Sequence, residues 1–342
     1  MRILFVCDFP RPFTGRDFHG AGVGGTEAAV VVLAEELARS GHGVVVGTPG
    51  PEAEAYGGVA YAPLSAAVAE PFDLAVLVKG WSSAAPAVRA GRRVFFFTDV
   101  HTPDPAAVAR ACGWADEVLL MSDFQRERLL AAIPSLAARP LRVVGLPVHL
   151  PDYTGYAERR ENVLLYCSVP DRGLHHLARI FPRVRRSVPD ARLVVTSDFT
   201  LWGHPSARPA YEALFRGVEG VTYLGRVDRA ELVAWQGRAK VMAYPCSFPE
   251  GFCIAAAECM AAGAVPVATR AFALPGTVGA GGVLLGGRPS GWLFRHRFAR
   301  AVVRLLRDAE EWARRSAEVR ADAFRRFAPA RLAGDLLAAA AP

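Results

Sequence analysis

Two Rossmann-like, doubly wound α/β domains in tandem are the fold the sequence predicts, and three observations predict it. Short, continuous apolar runs alternate with stretches of helical period. A Pro-, Gly- and Tyr-rich segment without period, 145–161 (GLPVHLPDYTGYAERRE), interrupts that alternation, which then restarts. Strands that are apolar throughout are buried on both faces, so each half implies a mostly parallel sheet covered by helices. With 342 residues, 52% hydrophobic and 21% charged, the chain has material for two such cores, and a disordered chain is excluded.

The first domain is placed at 1–150. Its opening strand is RILFVCDF, and the helix TEAAVVVLAEELARS runs from Thr26 to Ser40 with Gly41 as its C-terminal cap. The strands GVVVGTP, FDLAVLVKG, RRVFFFTD, DEVLLMS and LRVVGLP follow, with a helix at SDFQRERLLAAI for which Ser122 or Asp123 supplies the N-cap.

The second domain is placed at 151–325. Its strands are NVLLYCSV, ARLVVTSD, VTYLG, KVMAYP and AVPVAT; its helices are GLHHLARIFPRVRRSV, RAELVAWQGRA and GFCIAAAECMAAG. Proline cannot donate to the helix ladder, so the first of these helices is expected to be interrupted at Pro182. One Arg-rich amphipathic helix is expected from about Phe298 to Phe327. The terminal segment, 326–342, carries a last helix expected to pack back on the first domain. Asp308, Glu310, Glu311, Glu318 and Asp322 break up the basic face of the long helix, so it reads as a cover for apolar surface and not as a membrane-surface helix.

The net charge of +7 rests almost wholly on arginine, since Lys79 and Lys240 are the only lysines. Such a balance favours phosphorylated ligands or an anionic surface. No basic stripe interleaved with aromatics is present, so no nucleic-acid partner is expected. Six cysteines occur without C-x-x-C spacing, and MRILFVCDFP lacks the long apolar run of a leader, so the expected setting is reducing and cytoplasmic. Peripheral association with the inner membrane face is compatible with that setting. The spacing of Cys246, Cys253 and Cys259 fits no common zinc pattern, and no metal is expected.

FHGAGVGGTE satisfies G-x-G-x-x-G at Gly20, Gly22 and Gly25. A dinucleotide loop needs those glycines directly after the first strand and an acid at the end of the second, and neither condition is met. What remains is Gly24-Gly25 at the start of a helix, where bare backbone admits an anion or simply makes a turn.

The stretch YPCSFPEGFCIAAAECMAAGAVPVAT places Glu250 and Glu258 eight positions apart. Along a helix that spacing is about 12 Å, of the order of a nucleotide sugar's reach from sugar to ribose. A carboxylate at each end can accept hydroxyl hydrogen bonds worth roughly 1.5–3 kcal/mol each, and Gly251 and Phe252 offer backbone N–H groups between them. Taken alone, the pair also reads as two ordinary helix glutamates.

This E-x7-E block resembles the signature of glycosyltransferase family 4, whose members are retaining, nucleotide-sugar-dependent enzymes of the GT-B fold. VTYLGRVDRAELVAWQGRAKVMAYP upstream of it, GGTE near the N-terminus and VPDRGL in the second domain are similar to patterns of the same family. The resemblance implies two domains facing a cleft, a nucleoside diphosphate sugar as donor substrate, a hydroxyl acceptor, and neither cofactor nor metal. It implies that Glu258 holds the donor ribose, Glu250 the donor sugar, and Arg172 the leaving diphosphate. Gly25 would approach the diphosphate or the acceptor, His101 would point at the donor sugar, and Ser168, Gly225 and Arg226 would line the donor's path, with Gly225 and Arg226 at the base. DFPRPFTGRDFHGAG and VKGWSSAAP would shape the acceptor pocket.

Three departures from the family pattern stand out. Cys167 occupies the place of an arginine, Cys253 that of a glycine beside Gly251 and Phe252, and Gly276 that of a glutamate. Two other readings fit the architecture: a sugar-nucleotide epimerase or phosphorylase, and a sugar-nucleotide-binding protein without turnover.

Overall fold

The computed structural model describes residues 1–50, 53–100, 104–155, 161–200 and 207–339. The chain forms two compact units, one of residues 1–148 with 327–342, the other of residues 149–326.

The first unit runs β1 (Arg2–Val6), α1 (Gly15–His19), α2 (Gly25–Arg39), β2 (Gly43–Thr48), β3 (Glu54–Tyr56), β4 (Val59–Pro63), α3 (Leu64–Ala67), β5 (Pro71–Val78), β6 (Arg89–Phe97), α4 (Pro105–Trp114), β7 (Glu117–Leu120), α5 (Asp123–Ala132) and β8 (Leu141–Val143). Its sheet has the order β3-β4-β2-β1-β5-β6-β7-β8 and is parallel except for β3, an antiparallel edge strand. The apolar runs read from the sequence are these strands: Ile3, Leu4, Phe5 and Val6 are fully buried, as are Leu74–Leu77 of β5. Ser122 is the N-cap of α5, its hydroxyl accepting from the Gln125 N–H at 3.1 Å.

The second unit runs β9 (Glu161–Tyr166), α6 (Leu174–Ser187), β10 (Arg192–Val195), α7 (Arg208–Ala213), β11 (Val221–Tyr223), α8 (Arg229–Arg238), β12 (Ala239–Tyr244), α9 (Ile254–Ala262), β13 (Val265–Thr269), α10 (Leu274–Val278), β14 (Val283–Leu285), α11 (Trp292–Arg307) and α12 (Ala309–Arg326). Its sheet is wholly parallel, in the order β11-β10-β9-β12-β13-β14. From β9 the chain steps outward to β10 and β11, then returns to build β12 on the other side. The reversal lies between β9 and β12, the place where doubly wound sheets open a crevice at their strand ends.

Helix α13 (Pro329–Ala339) returns to the first unit. It packs on α2, and the Arg142 side chain donates to the Asp335 carbonyl at 3.2 Å. The Val148 N–H donates to the Phe327 carbonyl at 2.9 Å, joining the two segments of that unit.

Two expectations need correction. Helix α6 runs unbroken through Pro182. A proline there costs about 3 kcal/mol, but Leu177, Ile180, Phe181 and Val184 are fully buried on its inner face, and each such side chain contributes roughly 1.5–3 kcal/mol. The long Arg-rich helix is two helices, α11 and α12, broken at Asp308. Asp308 caps α12, its carboxylate accepting from the Glu311 N–H at 2.8 Å.

Candidate functional site

The second unit gathers most of the sequence's candidates at the C-terminal ends of its strands. Ser168 and Arg172 follow β9, Gly225 and Arg226 follow β11, and the loop to Glu250 follows β12, so β9 and β12 supply both sides of the reversal point. The loops are tied by backbone, the Ser247 N–H donating to the Arg172 carbonyl at 3.0 Å.

Glu250 is almost completely buried and sits on a cation. Arg172 Nη1 donates to both of its carboxylate oxygens, at 2.9 and 3.0 Å, and the Tyr244 hydroxyl donates to Oε2 at 2.6 Å. Ser168 Oγ lies 3.1 Å from the Tyr244 hydroxyl and extends this chain to the end of β9. Burial opposes the charge of Arg172, but Glu250 outweighs it and raises the guanidinium's pKa, so Arg172 is always charged. Burial, with Glu250 beside it, pushes the Tyr244 phenol well up, which keeps it a hydrogen-bond donor.

Glu258 lies in the middle of α9 and is held by a second cation. Arg229 Nη1 donates to it at 2.6 Å and Gln236 Nε2 at 3.3 Å, while Arg229 also grips Asp152 at 2.7 and 2.9 Å. All these groups belong to the second unit. The two glutamates do not share one helix: α9 begins at Ile254, so Glu250 projects from the preceding loop and the helical spacing of 12 Å does not apply to the pair.

Cys253 sets the turn between them. Its backbone is left-handed, φ 74 and ψ 71, and its carbonyl accepts from the Ala256 and Ala257 N–H groups. A side chain in that region costs roughly 1–2 kcal/mol, which is the physical reason glycine suits this place. Burial and then Glu250 push the Cys253 thiol well above its ordinary pKa. Cys253→Gly is therefore expected to leave stability within about 1 kcal/mol of the parent, relief of strain offsetting lost packing. Cys253→Val should lose about 2 kcal/mol or more, and urea unfolding of the two variants checks the difference.

Cys167 stands near Cys259, with sulfurs 3.6 Å apart, so the place where an arginine was expected holds a thiol packed on a thiol. Gly225 has φ +74, and a Cβ on it would sit 2.9 Å from Asp198 Oδ2. Asp198 accepts from the Arg226 N–H at 3.1 Å and the Thr200 N–H at 2.8 Å. Burial would raise its pKa, but these backbone donors prevail and lower it. Gly251 and Phe252 are buried, and the Phe252 carbonyl accepts from the Thr277 hydroxyl.

In the first unit, Gly25 is the first residue of α2 and Gly24 its N-cap. The two loops expected to shape an acceptor pocket meet: Ser82 Oγ donates to Asp8 at 2.9 Å, and Lys79 lies over the Phe9 ring. His101 lies outside the described residues.

Arg229, Gln236, Asp152, Tyr244 and Asp198 were not singled out in the sequence. RVDRAEL and YPCSFPEGF contain Arg229 and Tyr244, but nothing in linear spacing shows that they turn toward Glu258 and Glu250.

Residues 160–308 match the family described as Glycosyl transferases group 1. A phosphatidyl-myo-inositol mannosyltransferase of Propionibacterium freudenreichii is 33% identical over 141 residues, which are 38% of this chain and 33% of that protein. The matched stretch thus spans about a third of the relative's length. Among solved structures, Anabaena HepE in complex with UDP-glucose superposes with a TM-score of 0.72 at 18% identity, covering 99% of this chain and 98% of HepE. Sucrose-phosphate synthase of Thermosynechococcus elongatus gives 0.71 at 17% identity, with 98% and 97% covered. The α,α-trehalose 6-phosphate synthase of Burkholderia multivorans gives 0.73 at 15%, with 99% and 98% covered. At these identities the likeness shows the fold, which is GT-B: two α/β domains with mostly parallel sheets.

Proposed function

We propose that this chain is a retaining glycosyltransferase that moves a sugar from a nucleoside diphosphate sugar to a hydroxyl acceptor. The observation that carries this reading is the pair of buried carboxylates, Glu250 in the loop after β12 on Arg172 and Glu258 in α9 on Arg229, within the stretch that matches the glycosyl transferases. That HepE was solved with UDP-glucose supports a donor of this class.

In this reading Glu258 accepts the ribose hydroxyls and Glu250 a hydroxyl of the transferred sugar. Of the Glu250 partners Arg172 and Tyr244, Tyr244 is fully buried and Arg172 reaches solvent, at 27% side-chain exposure. When the donor binds, its guanidinium is shared with the diphosphate, and the N-terminus of α9 adds its dipole. Ser168, Gly225 and Arg226 line the donor, with Asp198 fixing the Arg226 backbone at the base.

The acceptor hydroxyl attacks the anomeric carbon on the face from which the diphosphate leaves. The new carbon–oxygen bond forms as the bond to phosphate breaks, and a phosphate oxygen takes the hydroxyl proton. The requirement is stabilisation of charge on the leaving group, not a carboxylate nucleophile.

The test is a panel of nucleoside diphosphate sugars with hydroxyl acceptors, read by nucleotide release and by NMR of the product. The parent is expected to consume at least one donor with retained anomeric configuration. Arg172→Met should lower kcat by roughly 10²–10³, with a smaller change in donor KM. Failure to turn over any donor, or an inverted product, would overturn the proposal. Donor binding without turnover would favour the sugar-nucleotide-binding reading, for which the thiol at Cys167 in place of a cation is the supporting observation.

A further inference from the structure

Helices α6 and α11 pack against each other in the second unit and together carry nine arginines and neither Asp nor Glu. No acidic residue occurs anywhere between Glu258 and Asp308. Their buried faces join one core, including Leu177, Phe181, Phe294 and Phe298, so the arginines are turned outward. Arg179 and Arg183 on α6 and Arg297 and Arg300 on α11 are exposed, and none has a carboxylate partner among the described residues. Two other arginines of these helices are paired: the half-buried Arg185 with Glu219, and the exposed Arg304 with Glu311.

The same surface carries an apolar tip. Only four large hydrophobic side chains are exposed among the described residues, and two of them are neighbours at the start of α11: Trp292, 67% exposed, and Leu293, 58% exposed. Trp292 meets His296 edge-on one turn later. The next exposed positions along the helix are Arg297 and Arg300.

We propose that this face of α6 and α11 docks on an anionic phospholipid membrane, Trp292 and Leu293 entering the interfacial zone while the arginines of both helices meet lipid phosphates. Tryptophan partitions to the boundary between headgroups and acyl chains, and adjacent arginines add electrostatic attraction to an acidic leaflet. A nucleic acid would use the arginines too, but sequence-tolerant strand binding needs successive aromatic platforms, and a leucine offers no stacking face. No helix among the described residues is long and apolar enough to cross a membrane, so attachment of this kind is peripheral.

The helix break at Asp308 borders this surface. In one continuous helix the acids from Asp308 onward would interrupt the basic face. With the break they belong to α12, whose Glu311 meets α11 at Arg304, while Arg297 and Arg300 nearer the start of α11 are left without a carboxylate partner among the described residues.

The test is co-sedimentation of the full chain with vesicles of phosphatidylcholine alone and of phosphatidylcholine mixed with phosphatidylglycerol. Binding to the mixed vesicles is expected to be stronger by on the order of tenfold or more, and to weaken with salt. Arg297→Gln with Arg300→Gln should lower it roughly tenfold, and Trp292→Ser with Leu293→Ser should lower it at high salt as well. Brominated acyl chains should quench part of the tryptophan emission, and that part should vanish in Trp292→Phe. All four positions are exposed, so melting temperatures should match the parent. Equal binding to both vesicle types overturns the proposal. So does parental binding by both variant pairs, or an RNA that displaces the vesicles while the Trp292–Leu293 variant binds as the parent does.

Discussion

Arg229→Ala is expected to destabilise the second unit by about 3–5 kcal/mol, the cost of leaving buried carboxylates without their cation. Arg229 and Glu258 are each only 8% exposed, so solvent does little to screen the pair. The guanidinium also holds Asp152, which is 19% exposed, and burial of that carboxylate is outweighed by donation from His149 and the charge of Arg229. Removing Glu258 along with Arg229 should cost less than the sum of the single changes, because the second deletion removes the charge the first left stranded. Arg229→Lys keeps the charge but not a fork that spans two carboxylates, and should fall between. Urea unfolding of the four proteins measures this coupling. A cost below about 1 kcal/mol for Arg229→Ala would mean that Arg229 does not hold Glu258 in place.

Gly173→Ala is expected to be the most damaging small substitution at the site. Gly173 has φ +149, and an added Cβ would lie 2.4 Å from the Pro245 carbonyl oxygen and 3.2 Å from the Cys246 Cα. Both contacts are with backbone, which cannot swing aside as a side-chain end can. Backbone strain of roughly 1–3 kcal/mol adds to an overpacking cost of similar size, for a total near 3 kcal/mol or above. The turn carrying Arg172 would have to move from the exit of β12, opening the bond from the Ser247 N–H to the Arg172 carbonyl. Thermal unfolding should report the stability loss, and donor KM should rise in whatever protein remains folded. A folded, fully active Gly173→Ala protein would show that the close approach to Pro245 is not required.

The contrast between these two residues marks how far the sequence could be read. PDRGL was singled out for Arg172, and its glycine is explained only by the strand exit lying against it, more than seventy positions away. Arg229 is not legible in the sequence, because helix α8 shows nothing unusual along its own length. Its partners Asp152 and Glu258 lie 77 and 29 residues away. The Arg172–Glu250 pair is separated by 78 residues. Parallel sheets make such distances ordinary, since each strand waits for a crossover before it meets its neighbour.

Short elements were missed for a different reason. β3 is a three-residue edge strand, EAY, without an apolar run, and β4, VAYAP, is apolar but only five residues long, closes on Pro63 and carries exposed Ala60 between the buried Val59 and Tyr61. Helix α4 follows the proline and aspartate of TPDPAAVARACGW, and its Asp104 N-cap is a signal legible in the sequence. Asp308 is another: an aspartate followed three residues later by a glutamate is a helix start, which would have divided α11 from α12.

By itself the sequence determined that the chain is two doubly wound α/β domains, because fully buried strands must be apolar at every position and helices must be apolar on one side. It also determined where glycines and glutamates with site-like spacing fall. Only the tertiary structure decided which cation holds which carboxylate, that Pro182 leaves α6 intact, and that Arg179, Arg183, Arg297 and Arg300 are exposed on two packed helices without a carboxylate partner among the described residues. Those outcomes depend on contacts between residues far apart in the chain, and hydrophobic period records only which side of an element is buried, not what lies against it.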